Sequence, residues 1–159
     1  MSGCGFHPRT SPTLALPLQK LYLQIADPYG DLARNIRLYL KMSGVHITDK
    51  PDQATSILDI MSETTSQQLL NMSGTQATRQ YNLILTVSYQ VTDPQGNTIV
   101  SPQVVTETRP LTINASQMLS GSNQTVSLYH QMRQAIVYDI MSRLASREMT
   151  VLLTKHKTE

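Results

Sequence analysis

The chain has 159 residues, 15% charged and 40% hydrophobic, with no Trp, one Phe, one Cys and a formal net charge of +2. That length suits one domain burying roughly 70% of its unfolded surface. So weak a charge excludes phosphate tracking on nucleic acid, which needs clustered Lys and Arg with aromatic stacking platforms, and no apolar run approaches the ~20 residues of a transmembrane helix.

In chain order, Met1-Ser2-Gly3-Cys4 looks like the end of a bacterial lipoprotein signal, in which small residues precede a cysteine that becomes the acylated N-terminus. No second Cys is present for a disulfide, so Cys4 is read as the lipidation site rather than as an unpaired thiol. Acyl chains contribute about 0.8 kcal/mol per buried CH₂, and more than one makes attachment stable. No signal-peptide apolar region is present, so any export signal is expected to have been removed. Gly5 to Pro17 carries Pro8, Pro12 and Pro17 with few apolar residues, so residues 1–17 are read as a lipobox remnant and extended tether.

The folded part is expected over residues 18–147. Leu21, Leu23 and Ile25 alternate with Lys20, Tyr22 and Gln24, which predicts a first strand ending at Asp27-Pro28. Asp27 suits a helix N-cap and Pro28 the first helical position. Leu32, Ile36, Tyr39 and Leu40 at helical spacing, with Gly44 as a left-handed stop, predict a helix over about Pro28 to Ser43. Arg34, Arg37 and Lys41 form a basic stripe on it, read as a solvated face that favours the helix C-terminal dipole or as a contact for an anionic partner. Val45 to Thr48 is short and extended, and Thr55 to Met61 and Gln67 to Met72 are read as two further strands before a Ser73-Gly74 turn.

Tyr81 to Thr108 carries the strongest pattern. Tyr81, Leu83, Leu85, Val87, Tyr89 and Val91 alternate with residues that are polar except for Ile84, which predicts a half-buried strand. Asp93-Pro94-Gln95-Gly96-Asn97 supplies turn chemistry, and the returning strand is expected to bulge or lie at an edge at Pro102. Asn114 to Asn123 reads as a polar loop. Val126, Tyr129, Ile136, Val137, Ile140 and Leu144 predict a second helix over about Asn123 to Arg147, in which Arg133 interrupts the apolar stripe and is expected to snorkel. Residues 148–159 are read as a frayed tail. This order predicts an α+β two-layer sandwich: a mostly antiparallel sheet of four or five strands, two helices on one face, and the first strand able to pair in parallel.

Catalytic chemistry finds little support. His7, His46, His130 and His156 show no paired spacing, and no ligand-type residue stands at metal-site spacing from them. Nucleophile elbows and phosphate-binding glycine loops are missing, and Asp27, Asp49 and Asp93 fall where turns and caps need them. The expectation is a tethered binding or scaffolding domain with no enzyme activity, metal or cofactor.

Cys4-Gly5-Phe6-His7-Pro8-Arg9 resembles the mature start of the LPS-assembly lipoproteins of the LptE family, although Pro8 departs from their usual Leu. Leu21 to Ile25, Asp27 to Arg34 and the Ser43-Gly44-Val45 ending are similar to that family's first strand and helix, Tyr81 to Val91 to its central strand, and Gln117-Met118-Leu119 with the second helix to its C-terminal part. The resemblance runs from Cys4 to Leu144. It implies a lipid-anchored protein on the periplasmic side of the cell outer membrane that plugs the β-barrel LptD, one to one, and assists the insertion of lipopolysaccharide. Lipopolysaccharide carries phosphates, so Arg79, Arg109, Arg34, Arg37 and Lys41 are candidate contacts. The turn residues Asp93, Pro94, Gln95, Gly96 and Asn97 are candidate barrel contacts. The competing expectation is a transport-accessory lipoprotein that handles an anionic glycolipid directly, without plugging a barrel.

Overall fold

A computed structural model describes residues 14–72, 78–114 and 118–156. Cys4 and the tether expected over residues 1–17 lie outside the described residues up to residue 13. Leu14 and Leu18, joined by a 3-10 turn at Leu16–Leu18, are already in the core. The elements that follow are β1 (Lys20–Ile25), α1 (Asp31–Met42), β2 (His46–Ile47), a 3-10 turn (Pro51–Gln53), β3 (Ser56–Met72), β4 (Thr78–Thr92), β5 (Thr98–Asn114), α2 (Met118–Leu144) and α3 (Arg147–His156).

The strands form one open mixed sheet in the order β2-β1-β3-β4-β5. The crossover through α1 makes β1 parallel to β2, and β1 is also parallel to β3, whereas β3, β4 and β5 form an antiparallel meander. This is the expected α+β sandwich with its parallel first strand. Leu83, Leu85, Val87, Tyr89 and Val91 are fully buried, as are Leu32, Ile36 and Leu40 of α1 and Met132, Ile136, Ile140 and Leu144 of α2. The helices cover the odd-numbered face of β4, α2 lying on β4 and β5 and beside α1.

The long hairpin forms as its alternation requires. Asp93 Oδ1 accepts the N–H groups of Gln95 at 3.0 Å and Asn97 at 2.8 Å, and Gly96 takes φ +89°. Tyr89 stands opposite Gln103 and Val91 opposite Val100, so β5 has an extra residue around Pro102, on a sheet edge where no ladder donor is needed.

Four boundaries differ from the sequence reading. α1 starts at Asp31 because Asp27 spends its side chain on a turn: its Oδ1 accepts the Tyr29 N–H at 3.2 Å and its carbonyl the Gly30 N–H at 3.3 Å. β3 is one strand of 17 residues, bent by a register shift between Ile60 and Ser62, because β4 pairs with it along nearly its whole length. α2 begins at Met118, running through Gly121 and Ser122, whose weak helix propensity of about 1 kcal/mol or less the rest of the helix overrides. Where the tail is expected to fray, Arg147–His156 forms α3, which buries Leu153 and packs on β5 and the N-terminal turn.

Candidate functional site

Strand alternation sends every second side chain of the sheet away from the helices. On that open side Gln24 Nε2 donates to Asp59 Oδ1 at 3.3 Å and Gln90 Nε2 to Asp59 Oδ2 at 2.9 Å, tying β1, β3 and β4 together. Further along, the Ser62 and Ser88 hydroxyls lie 2.6 Å apart and those of Thr86 and Thr106 3.1 Å apart. Thr64, Ser66 and Gln68 continue the row on β3, exposed, and Thr108 does so on β5. The result is a wettable sheet face of hydroxyls and amides, interrupted by Ile84 and by Val104, which is 59% exposed.

The basic candidates do not form one cluster. Arg79 and Arg109 sit toward the end of the meander away from the Asp93–Asn97 turn: Arg79 is opposite Met72 and Ile113, and Arg109 is opposite Leu83 and paired with Glu107 at 2.7 Å. Arg34, Arg37 and Lys41 lie on α1 in the helical layer. Arg34 pairs with Asp31 at 3.5 Å, Arg37 donates to the Pro28 carbonyl, and Lys41 is exposed in the last turn. The turn residues Asp93 to Asn97 are held by their own hydrogen bonds, with Asn97 Nδ2 donating to Asp93 Oδ2 at 2.9 Å.

A second charged group escapes the sequence reading. Arg133 does not snorkel into solvent: its Nε donates to Glu63 at 2.6 Å and its guanidinium lies 3.9 Å from Asp31, which also meets His130 Nδ1 at 2.7 Å. Arg133, Glu63 and Asp31 border a 360 Å³ cleft where β1 ends, lined also by Ile25, Asp27 and Met61 among others. The signal in the sequence is the arginine within an apolar stripe. Its partners are 70 and 102 residues away and only the fold supplies them.

Burial pushes the phenols of Tyr89, Tyr129 and Tyr39 above their ordinary value. They remain neutral donors at physiological pH, and Tyr129 uses its hydroxyl on the Ser66 carbonyl at 3.0 Å. Among the described residues no group of three His, Cys, Asp or Glu side chains could hold a metal ion, and no helix is long and apolar enough to cross a membrane.

These surfaces belong to an α+β sandwich with a polar sheet face, dispersed cations and a charged cleft. The chain belongs to the LptE family, described as lipopolysaccharide-assembly, whose profile matches residues 18–144. It is 32% identical over 144 residues to the LPS-assembly lipoprotein LptE of Yersinia enterocolitica, covering 90% of this chain and 69% of that one. The protein of the same name from Pectobacterium atrosepticum is 28% identical over 144 residues, covering 90% of this chain and 77% of the relative. A solved minor lipoprotein from Acinetobacter baumannii superposes with a TM-score of 0.69 at 25% identity, covering 80% of this chain and 91% of that one. The family consists of assembly lipoproteins and not of enzymes.

Proposed function

We propose that this chain acts in lipopolysaccharide assembly as a lipoprotein of the outer membrane, anchored through Cys4 on the periplasmic side. There it plugs and helps to assemble the LptD β-barrel and assists delivery of lipopolysaccharide to the cell surface. The observation that carries the reading is the uncovered face of β3, β4 and β5. A barrel interior is polar and hydrated, and a plug must meet it without stranding charges away from water. Rows of Ser, Thr, Gln and Asn already hydrogen-bonded across strands satisfy that requirement. Arg79 and Arg109 are the glycolipid contacts in this reading, the planar guanidinium matching phosphate oxygens two at a time. Arg34, Arg37 and Lys41 are the remaining cationic candidates; Arg34 pairs with Asp31 and Arg37 donates to the Pro28 carbonyl ahead of α1, as Arg109 pairs with Glu107.

Purification of the tagged chain from outer membranes tests this reading. A large β-barrel at one-to-one stoichiometry, held through detergent and moderate salt, is the expected result, and the plug role fails if no barrel is recovered. Salt-sensitive glycolipid binding by the isolated domain, without a barrel, would favour a transport accessory. Acyl labelling of the wild type but not of Cys4→Ala is the corresponding result for the anchor.

A further inference from the structure

β1 leaves β3 at Ile60, where Ile25 makes its last pairing. From Met61 to Met72 the outer edge of β3 has no strand beside it among the described residues, and Met61 through Asn71 are all exposed. Monomeric proteins normally guard such an edge with Pro, Lys, a bulge or a cover, because its free N–H and C=O groups template another strand. The opposite edge of this sheet is guarded in that way. β5 carries Pro102 in a bulge, Pro110, Glu107 and Arg109. The β3 edge carries no Pro, Gly or Lys, and Glu63, its one charge, is turned into the ion pair with Arg133; what guards it is the register shifts at Ile60/Ser62 and Leu69/Asn71 and the Tyr129 hydroxyl on the Ser66 carbonyl. Leu69 and Leu70 on it are 46% and 52% exposed.

We propose that the Met61–Met72 edge of β3 is a strand-addition site that receives an extended segment of the barrel partner, running in line with β1. This rests on the barrel partnership proposed above and names the kind of contact made there. The vacant lane begins at the cleft where β1 stops, whose lining has Asp27, Asp31 and Glu63 against Arg133; Arg34 and His130 also pair with Asp31, so Asp27 is the lining carboxylate with no cation beside it among the described residues. A segment with a Lys or Arg at the end that enters the cleft complements it. A second copy pairing through its own β3 offers no such group, since β3 contains neither Lys nor Arg. Main-chain hydrogen bonds along the lane supply affinity, and the cleft supplies direction and register.

Amide hydrogen exchange read by mass spectrometry, on the full chain free and in the purified barrel complex, tests the site. The amides of residues 62–72 that point away from β4 are expected to exchange at least tenfold more slowly in the complex. Thr64→Pro and Thr65→Pro remove adjacent N–H groups that point to opposite edges. The variant that keeps the free protein's melting temperature is the one that blocks the vacant lane, and it is expected to weaken the complex at least tenfold. If the complex forms but its 62–72 amides exchange as in the free chain, or the fold-retaining proline variant binds normally, strand addition is overturned and the barrel partnership stands. If no complex forms, both fall. Slow exchange in the free chain of the alternate amides that point away from β4, or concentration-dependent protection of them with self-association, overturns the site by showing the lane filled by this chain itself.

Discussion

Tyr89 is fully buried beneath α2, and its hydroxyl is the one buried side-chain polar atom among the described residues with no hydrogen-bond partner. A buried donor left unmade costs about 1–3 kcal/mol, so the ring must stabilise the core by more than its hydroxyl takes away. Tyr89→Phe is therefore expected to leave stability unchanged or raise it by about 1 kcal/mol, whereas Tyr89→Ala should lose about 3–5 kcal/mol by opening a cavity; urea midpoints separate the two. The same burial has a consequence at high pH. Burial pushes the folded-state phenol above the ordinary 10.0, while the Arg143 charge pulls it back down and Asp139 pushes it up. The neutral phenol's contribution is then complete below pH 10.0 and is lost as pH rises through the higher folded value. Thermal melts in that alkaline range should show a shallower loss for Tyr89→Phe than for the wild type. At Arg133 the logic is pairwise: its side chain is 24% exposed and that of Glu63 28%, so the pair is only partly screened. A double-mutant cycle should return a coupling of about 1 kcal/mol; zero coupling would reduce the contact to solvated proximity.

Among the elements, the hairpin was legible because six apolar side chains repeat at period two and the turn holds Asp, Pro, Gly and Asn in the places a turn uses them. The middle of β3 was not. On its helix-facing side stand Glu63, Thr65 and Gln67, opposite Val87, Leu85 and Leu83, so no apolar alternation marks a strand there. What makes it a strand is the ladder offered by β4, a partner whose register lies outside any local window of sequence. α3 escaped for a related reason: of Val151, Leu152 and Leu153, only the last is buried, and Met149 one turn earlier packs on the core only in part, too short a stripe to mark a helix. That asymmetry is testable. Leu153→Ala should cost about 2–3 kcal/mol, while Leu152→Ala, at a side chain 53% exposed, should stay within about 0.5 kcal/mol. Equal effects on the denaturation midpoint would mean that α3 does not dock through Leu153. The charged cleft was invisible to the sequence on the same ground as β3, since Asp31, Glu63 and Arg133 come from three elements and only their assembly gives them a shared role.

For the molecule as a whole, the length of the meander separates tasks. β4 spans 15 residues, roughly 45–50 Å at about 3.3 Å per residue, with the Asp93–Asn97 turn at one end and Arg79 near the other. Screening over about 8–10 Å at ordinary salt leaves no direct electrostatic link between the two ends, and the hydrogen-bonded ladder between them gives each a fixed position. If the turn is the barrel contact expected from the sequence and Arg79 with Arg109 the proposed glycolipid contact, such distant sites should act independently. Replacing Asp93–Asn97 by a two-residue Asn-Gly turn keeps the hairpin closed and is expected to weaken the barrel complex without changing lipopolysaccharide binding by the isolated domain. Arg79→Ala with Arg109→Ala should do the reverse, lowering glycolipid affinity by about 1–3 kcal/mol and flattening its salt dependence while the barrel still co-purifies. The combined variant should show the sum of both losses within about 0.5 kcal/mol. If trimming the turn also abolishes lipopolysaccharide binding, the two ends are coupled and the division of labour along the sheet is wrong; if trimming leaves the complex at full strength, the barrel contact lies elsewhere, with the open sheet face and the β3 edge as the surfaces left to make it.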